Sequence, residues 1–204
     1  RDMRMARGGG MVWALGTRFN LAMAAVFAAL LLAAGPARAE AQWYASGSIG
    51  TLTEGSWHDA LIPNDVEFAD SHMLAAAVGR ERPVGDSRFA LGVEAQLIAH
   101  AGTQDHFELS IPLTLRYRPN RAGPVASYAG GLGLSYATQV PQVEIDRNGA
   151  SQRLFVHWLA EVEFALPSPD RTAFVRLHHR SDGYGLFEVD AGSTGYLIGL
   201  RKRF

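Results

Sequence analysis

Apolar and polar residues alternate along much of this chain. In HFELSIPLTLRYR (106–118), Phe107, Leu109, Ile111, Leu113, Leu115 and Tyr117 alternate with Glu108, Ser110, Pro112, Thr114, Arg116 and Arg118. A period of two over that length predicts a strand with one apolar and one polar face, because successive side chains of a strand point to opposite sides. RFALGVEAQLIAH (88–100) does the same, with Phe89, Leu91, Val93, Ala95 and Leu97 opposing Gly92, Glu94 and Gln96. LFVHWLAEVEFAL (154–166) sets Leu154, Val156, Trp158, Ala160, Val162 and Phe164 against His157, Glu161 and Glu163. Weaker alternation marks 42–53, 72–81, 124–137, 171–181 and 193–204. Eight strands of roughly 10–14 residues result. Compact turns (RERPVGDS, RPNRAGP, LPSPDRT) alternate with longer polar connections (EGSWHDALIPNDVEFADS, QVPQVEIDRNGASQ, DGYGLFEVDAG).

Amphipathic strands joined alternately by short turns and long loops predict an all-β fold, an eight-stranded antiparallel transmembrane β-barrel. Long loops would face the cell exterior and short turns the periplasm. Glu94, Glu108, Arg116, Glu161 and Glu163 would then pair inside a lumen filled by side chains. A soluble lipocalin-type barrel inverts the pattern, apolar inside and polar outside, and alternation by itself does not separate the two.

The ends of the chain do. Arg4 and Arg7 precede the apolar run LAMAAVFAALLLAAG (21–35), and ARA follows at 37–39. A charged start, an apolar stretch and a small-residue cleavage site predict a secretory signal over 1–39, with the barrel domain at 40–204. The last strand ends YLIGLRKRF, its terminal aromatic Phe204 in step with Leu200, Ile198 and Tyr196. Such an ending resembles the signal read by the outer-membrane assembly machinery of Gram-negative bacteria. The expected location is therefore the outer membrane, with that machinery a partner through Phe204.

Past the signal the chain carries 14 basic and 19 acidic residues, a net charge of −5, and its only lysine is Lys202. That balance excludes a nucleic-acid partner of the usual basic kind. Without cysteine the fold needs no disulfide and offers no thiolate metal ligand. His157, Glu161 and Glu163 lie too far apart along one strand to hold one ion and read as lumen groups. The GGLGL run (130–134) has no following helix, so it is no phosphate loop. Trp43, Tyr117, Tyr128, Tyr136, Trp158 and Tyr196 read as interfacial anchors.

One strand departs from the pattern. In RLHHRSDGYGLFEVDAG (176–192), the apolar face of Ala173, Val175 and Leu177 continues into His179 and Ser181. Arg176, His178 and Arg180 lie on the lumen face. A polar pair on a lipid-facing wall costs free energy unless it serves something. Histidine and serine two residues apart on one face stand ~6.5–7 Å apart at Cα, within reach of a nucleophile–base pair. This stretch resembles the outer-membrane lipid A deacylase family (PagL-like, acyloxyacyl hydrolase-related). That family carries H-x-S-N on the penultimate strand of an eight-stranded barrel and a Glu about a dozen residues later.

The resemblance implies an esterase that removes an acyl chain from lipopolysaccharide at the outer wall, with Ser181 as nucleophile and His179 as base. Two positions differ. Asp182 stands for the family Asn, and the family Glu falls near Ser193 or Thr194. Asp190, then Glu188, are the loop acids expected to orient His179, and the backbone N–H groups of Gly183 or Gly185 are expected to hold the oxyanion. No cofactor or metal is expected. The alternative is a non-catalytic barrel that structures the membrane or binds lipid or another ligand.

Overall fold

In a computed structural model, which describes residues 40–62, 66–120 and 123–204, the alternating segments form one closed sheet. Its strands are β1 (Gln42–Thr53), β2 (Phe68–Pro83), β3 (Phe89–Gly102), β4 (Phe107–Tyr117), β5 (Val125–Ala137), β6 (Leu154–Ala165), β7 (Arg171–Ser181) and β8 (Gly192–Arg203). Each pairs antiparallel with the next. β8 closes on β1, in register from Tyr44↔Arg203 to Leu52↔Gly195. The expected signal segment lies outside the described residues.

The pattern is apolar outside and charged inside. Ile49, Leu74, Leu97, Ile111, Leu134, Ile198 and Leu200 stand exposed on the outer wall. Arg116, Arg176 and Arg201 are buried in the lumen with Glu81, Glu94, Glu161 and Glu163. Arg176 reaches Glu94 at 2.7 Å and Glu161 at 2.6 Å, and Arg116 reaches Glu81 at 2.9 Å and Glu161 at 3.0 Å. Arg201 pairs with Glu161 at 2.7 Å and also with Glu163. A soluble barrel would bury its apolar face. Here that face is left for lipid, and the molecule is a transmembrane β-barrel.

Exposed Trp43, Phe89 and Tyr128 ring the short-turn end, and exposed Phe68, Phe107 and Tyr136 ring the long-loop end. Gly133 allows β4 and β5 to lie close, since a Cβ there would sit 2.1 Å from the Ile111 carbonyl oxygen.

With no native cysteine, single cysteines read this sidedness directly. Cysteine at Leu113 or Val175 is expected to react with a lipid-phase probe, and cysteine at Ser110 or Gln96 is not. Reversed labelling would turn the barrel inside out.

The β5–β6 connection contains a helix that the alternation did not predict, α1 (Gln142–Asn148), which ends at Gly149 with φ +79°. α1 closes the long-loop mouth. Val143 packs with Leu52, Ala69, Met73, Ile98 and Leu197, and Glu144 pairs with Arg180 at 3.1 Å. Glu144 also accepts hydrogen bonds from Ser193 (2.7 Å) and Ser151 (2.5 Å). Burial holds its carboxyl above the usual carboxylate range, opposed by Arg180.

Candidate functional site on the outer wall

His179 and Ser181 lie on the outward face of β7, and His178 lies on the lumen face. In the ladder His179 stands between Trp158 of β6 and Thr194 of β8. Its Nδ1 is 2.8 Å from Thr194 Oγ1, and its ring tilts against Trp158 at a centroid distance of 4.9 Å. Thr194, the residue near which the family acid falls, therefore holds the imidazole. The contact fits either tautomer: with Thr194 Oγ1 accepting from Nδ1–H, Nε2 keeps the free lone pair a general base requires, and with Thr194 O–H donating to Nδ1 the proton sits on Nε2.

The other expected contacts are not formed. Ser181 Oγ makes no hydrogen bond to His179. It accepts the Gly183 N–H at 3.3 Å. Asp190 and Glu188 are exposed in the β7–β8 loop, and neither reaches His179. The place beside Nδ1 belongs to Thr194 rather than to either loop acid.

Asp182 turns its carboxylate into that loop and accepts the Gly185 N–H at 2.5 Å, while its carbonyl accepts from Phe187 N–H at 3.0 Å. Gly185 N–H is therefore engaged and not aimed at an oxyanion. Gly183 N–H is engaged as well, with Ser181 Oγ. The loop is held in a left-handed run, with φ +71° at Gly183, +60° at Tyr184 and +84° at Gly185. A Cβ at Gly183 would meet Val156 Cγ2 at 2.5 Å, so the tight turn requires glycine there.

A second feature was not legible in the sequence. The β1–β2 loop, with a single 3-10 turn at Asp59–Leu61, folds down the outer wall over this strand pair. Trp57 meets Trp158 edge-on at 5.8 Å and stacks on His58 at 3.6 Å. Tyr196 donates its hydroxyl hydrogen bond to the Ala60 carbonyl. Under this cover His179 is 6 % exposed and Thr194 1 %. Leu61 and Ile62 face outward, exposed, so the loop presents apolar surface where it lies on the wall. Trp158 and Tyr196 are thus parts of the covered site as well as wall aromatics.

On the lumen side, Glu161 and Glu163 belong to the arginine network. His157 keeps different company, among His178, Glu108 and the His179 backbone.

Fold and wall chemistry define the class, an eight-stranded transmembrane barrel with a covered polar patch on its lipid-facing side. No protein-family model matches the chain, and no curated protein matches it in sequence. Solved structures do share the fold. The outer membrane enzyme PagL is 13 % identical, with a TM-score of 0.54 over 78 % of this chain and 98 % of its own. Ail, the attachment invasion locus protein of Yersinia pestis, solved with the heparin analogue sucrose octasulfate, is 12 % identical over 81 % of this chain and 99 % of its own (TM-score 0.46). Outer membrane protein OprG of Pseudomonas aeruginosa is 12 % identical over 82 % and 98 % (TM-score 0.39). At 13 % identity the likeness to PagL is one of fold.

Proposed function

We propose that this protein is an esterase of the Gram-negative outer membrane that hydrolyses an ester-linked acyl chain of lipopolysaccharide at the outer wall of its barrel. The observation that carries the reading is His179, turned to the lipid side, held at Nδ1 by Thr194 and followed two residues later by Ser181 on the same face. A lipid substrate explains why such groups would stand on a lipid-facing wall, since an acyl chain can reach them without leaving the membrane. The secretory signal expected over 1–39 agrees with the location, and PagL, which shares the fold, is an outer membrane enzyme.

Ser181 Oγ would attack the ester carbonyl as His179 Nε2 takes its proton. The imidazolium would then protonate the leaving alcohol, and water, deprotonated by the same nitrogen, would release the fatty acid. Gly183 N–H would stabilise the oxyanion. Two movements are needed from the observed state: rotation of Ser181 toward His179, which also frees Gly183 N–H, and displacement of the β1–β2 loop from Trp158 and Tyr196 so that substrate reaches the imidazole.

The test is incubation of the purified barrel with lipopolysaccharide and detection of released 3-hydroxy fatty acid. Ser181→Ala and His179→Ala are each expected to lower the rate by 10³-fold or more while keeping the heat-modifiable mobility of a folded barrel. A Ser181→Ala variant as active as the wild type would remove serine from the mechanism.

The second reading is a non-catalytic barrel. It is favoured by a neutral threonine where an acid would orient the histidine, and by the unformed His179–Ser181 bond. An inert wild type in the same assay decides for it.

A further inference from the structure

Directly behind His179, inside the lumen, three buried side chains from three strands converge. Glu108 of β4, His157 of β6 and His178 of β7 each bring one ligand atom, and these atoms lie within 4.8 Å of one another. His157 Nδ1 is 2.9 Å from the His179 carbonyl oxygen. A carbonyl only accepts, so Nδ1 carries the proton and Nε2 is left as a bare lone pair. That lone pair is buried and has no hydrogen-bond partner among the described residues. His178, whose ring centroid is 4.5 Å from that of His157, has hydrogen-bond geometry at neither nitrogen, although its Nε2 is 3.2 Å from Glu108 Oε1.

The carboxylate, by contrast, is held firmly. Glu108 Oε1 accepts from Ser110 at 2.8 Å and Ser135 at 2.6 Å. Oε2 is 3.1 Å from His100 Nε2, and His100 Nδ1 is 3.0 Å from the amide nitrogen of Gln104. Gln104 donates to Nδ1, so His100 donates Nε2–H to the carboxylate. An ordered outer shell therefore fixes Glu108, while the two histidines beside it keep unused lone pairs.

Buried polar atoms without partners are rare and need a reason. Protonating His157 Nε2 would create a cation against His178 with no acceptor for the new N–H. A cation bound between the rings uses the lone pairs as they stand. We propose that the lumen holds a divalent first-row transition ion of the Zn²⁺ class on His157 Nε2, a ring nitrogen of His178 and Glu108. Two imidazoles and a carboxylate suit such an ion, and three protein ligands leave a fourth position for water. Its bonds of about 2.0–2.2 Å require the ligand atoms to close by small side-chain rotations.

His100 and Gln104 are the outer shell that orients the carboxylate, and the His179 carbonyl orients His157. The ion would tie β4, β6 and β7 together across the lumen. This inference is independent of the esterase reading.

The experiment uses the full-length barrel, folded in detergent, without a histidine tag and stripped with EDTA. Titration with Co²⁺ is expected to give one equivalent per barrel, with visible ligand-field bands of a low-coordinate site, displaced by Zn²⁺. Zn²⁺ is expected to raise the unfolding temperature. His157→Gln and His178→Gln are expected to weaken binding at least about 100-fold and to abolish the thermal shift while keeping heat-modifiable mobility. A folded wild type that takes up neither ion overturns the proposal. So does unchanged binding in both variants, which would place the ion on surface groups such as His72 and Asp70.

Discussion

Replacing Thr194 by glutamate is expected to raise ester hydrolysis by on the order of 10²-fold. Thr194 Oγ1 already lies 2.8 Å from His179 Nδ1, so the orienting contact exists and lacks only negative charge. In serine hydrolases the acid at this place fixes the tautomer and stabilises the imidazolium formed when serine gives up its proton, and losing it costs about 10⁴ in rate. A neutral hydroxyl, which donates as readily as it accepts, positions the ring but neither fixes the tautomer nor stabilises the imidazolium. The comparison is with Thr194→Gln, which adds the same bulk without charge. Fatty-acid release is measured for both, with heat-modifiable mobility as the check on folding. Equal rates for Glu and Gln would mean that negative charge at residue 194 stabilises no catalytic imidazolium.

Removing Glu161 is expected to cost roughly 3–5 kcal/mol of barrel stability. This carboxylate accepts from Arg116 at 3.0 Å, from Arg176 at 2.6 Å and from Arg201 at 2.7 Å, all inside the lumen. Glu161→Ala takes one carboxylate from three buried guanidinium groups, leaving Arg116 to Glu81 and Glu163, Arg176 to Glu94, and Arg201 to Glu94 and Glu163, with positive charge in excess. The urea midpoint of the folded band on unheated gels is expected to fall sharply. Adding Arg176→Met to that variant should recover part of the loss, because it removes one of the three buried charges that lost a partner. A loss below about 1 kcal/mol, the range of surface ion pairs, would mean that the lumen is wet and the network solvated.

The strands were legible because alternation is local. Their expected and observed limits agree closely, except at β2, which begins at Phe68 rather than His72 because exposed Asp70 and His72 interrupt the apolar face. α1 was missed although Pro141 and Gly149 bound it. Seven residues in a polar loop carry too few apolar positions to show a period of 3.6. Within the candidate site, parity alone turned His179 and Ser181 outward and His178 inward.

Which residues meet across strands or through loops is not local. The β7–β8 register brings Thr194 to His179, a pairing fixed by the intervening loop and its left-handed turn. Asp182, an apparent substitute for an oxyanion-stabilising residue, serves that turn by accepting the Gly185 N–H.

By itself the sequence determined an eight-stranded barrel and which residues of each strand share a face, because a period of two acts residue by residue; that the apolar face points outward is settled by the burial of Arg116, Arg176 and Arg201 in the lumen. Only the closed barrel decided that the β1–β2 loop covers His179, and that Glu108, His157 and His178 share one point in the lumen. Those three come from strands far apart in the chain, and closure of the sheet with its stagger sets which of them face one another.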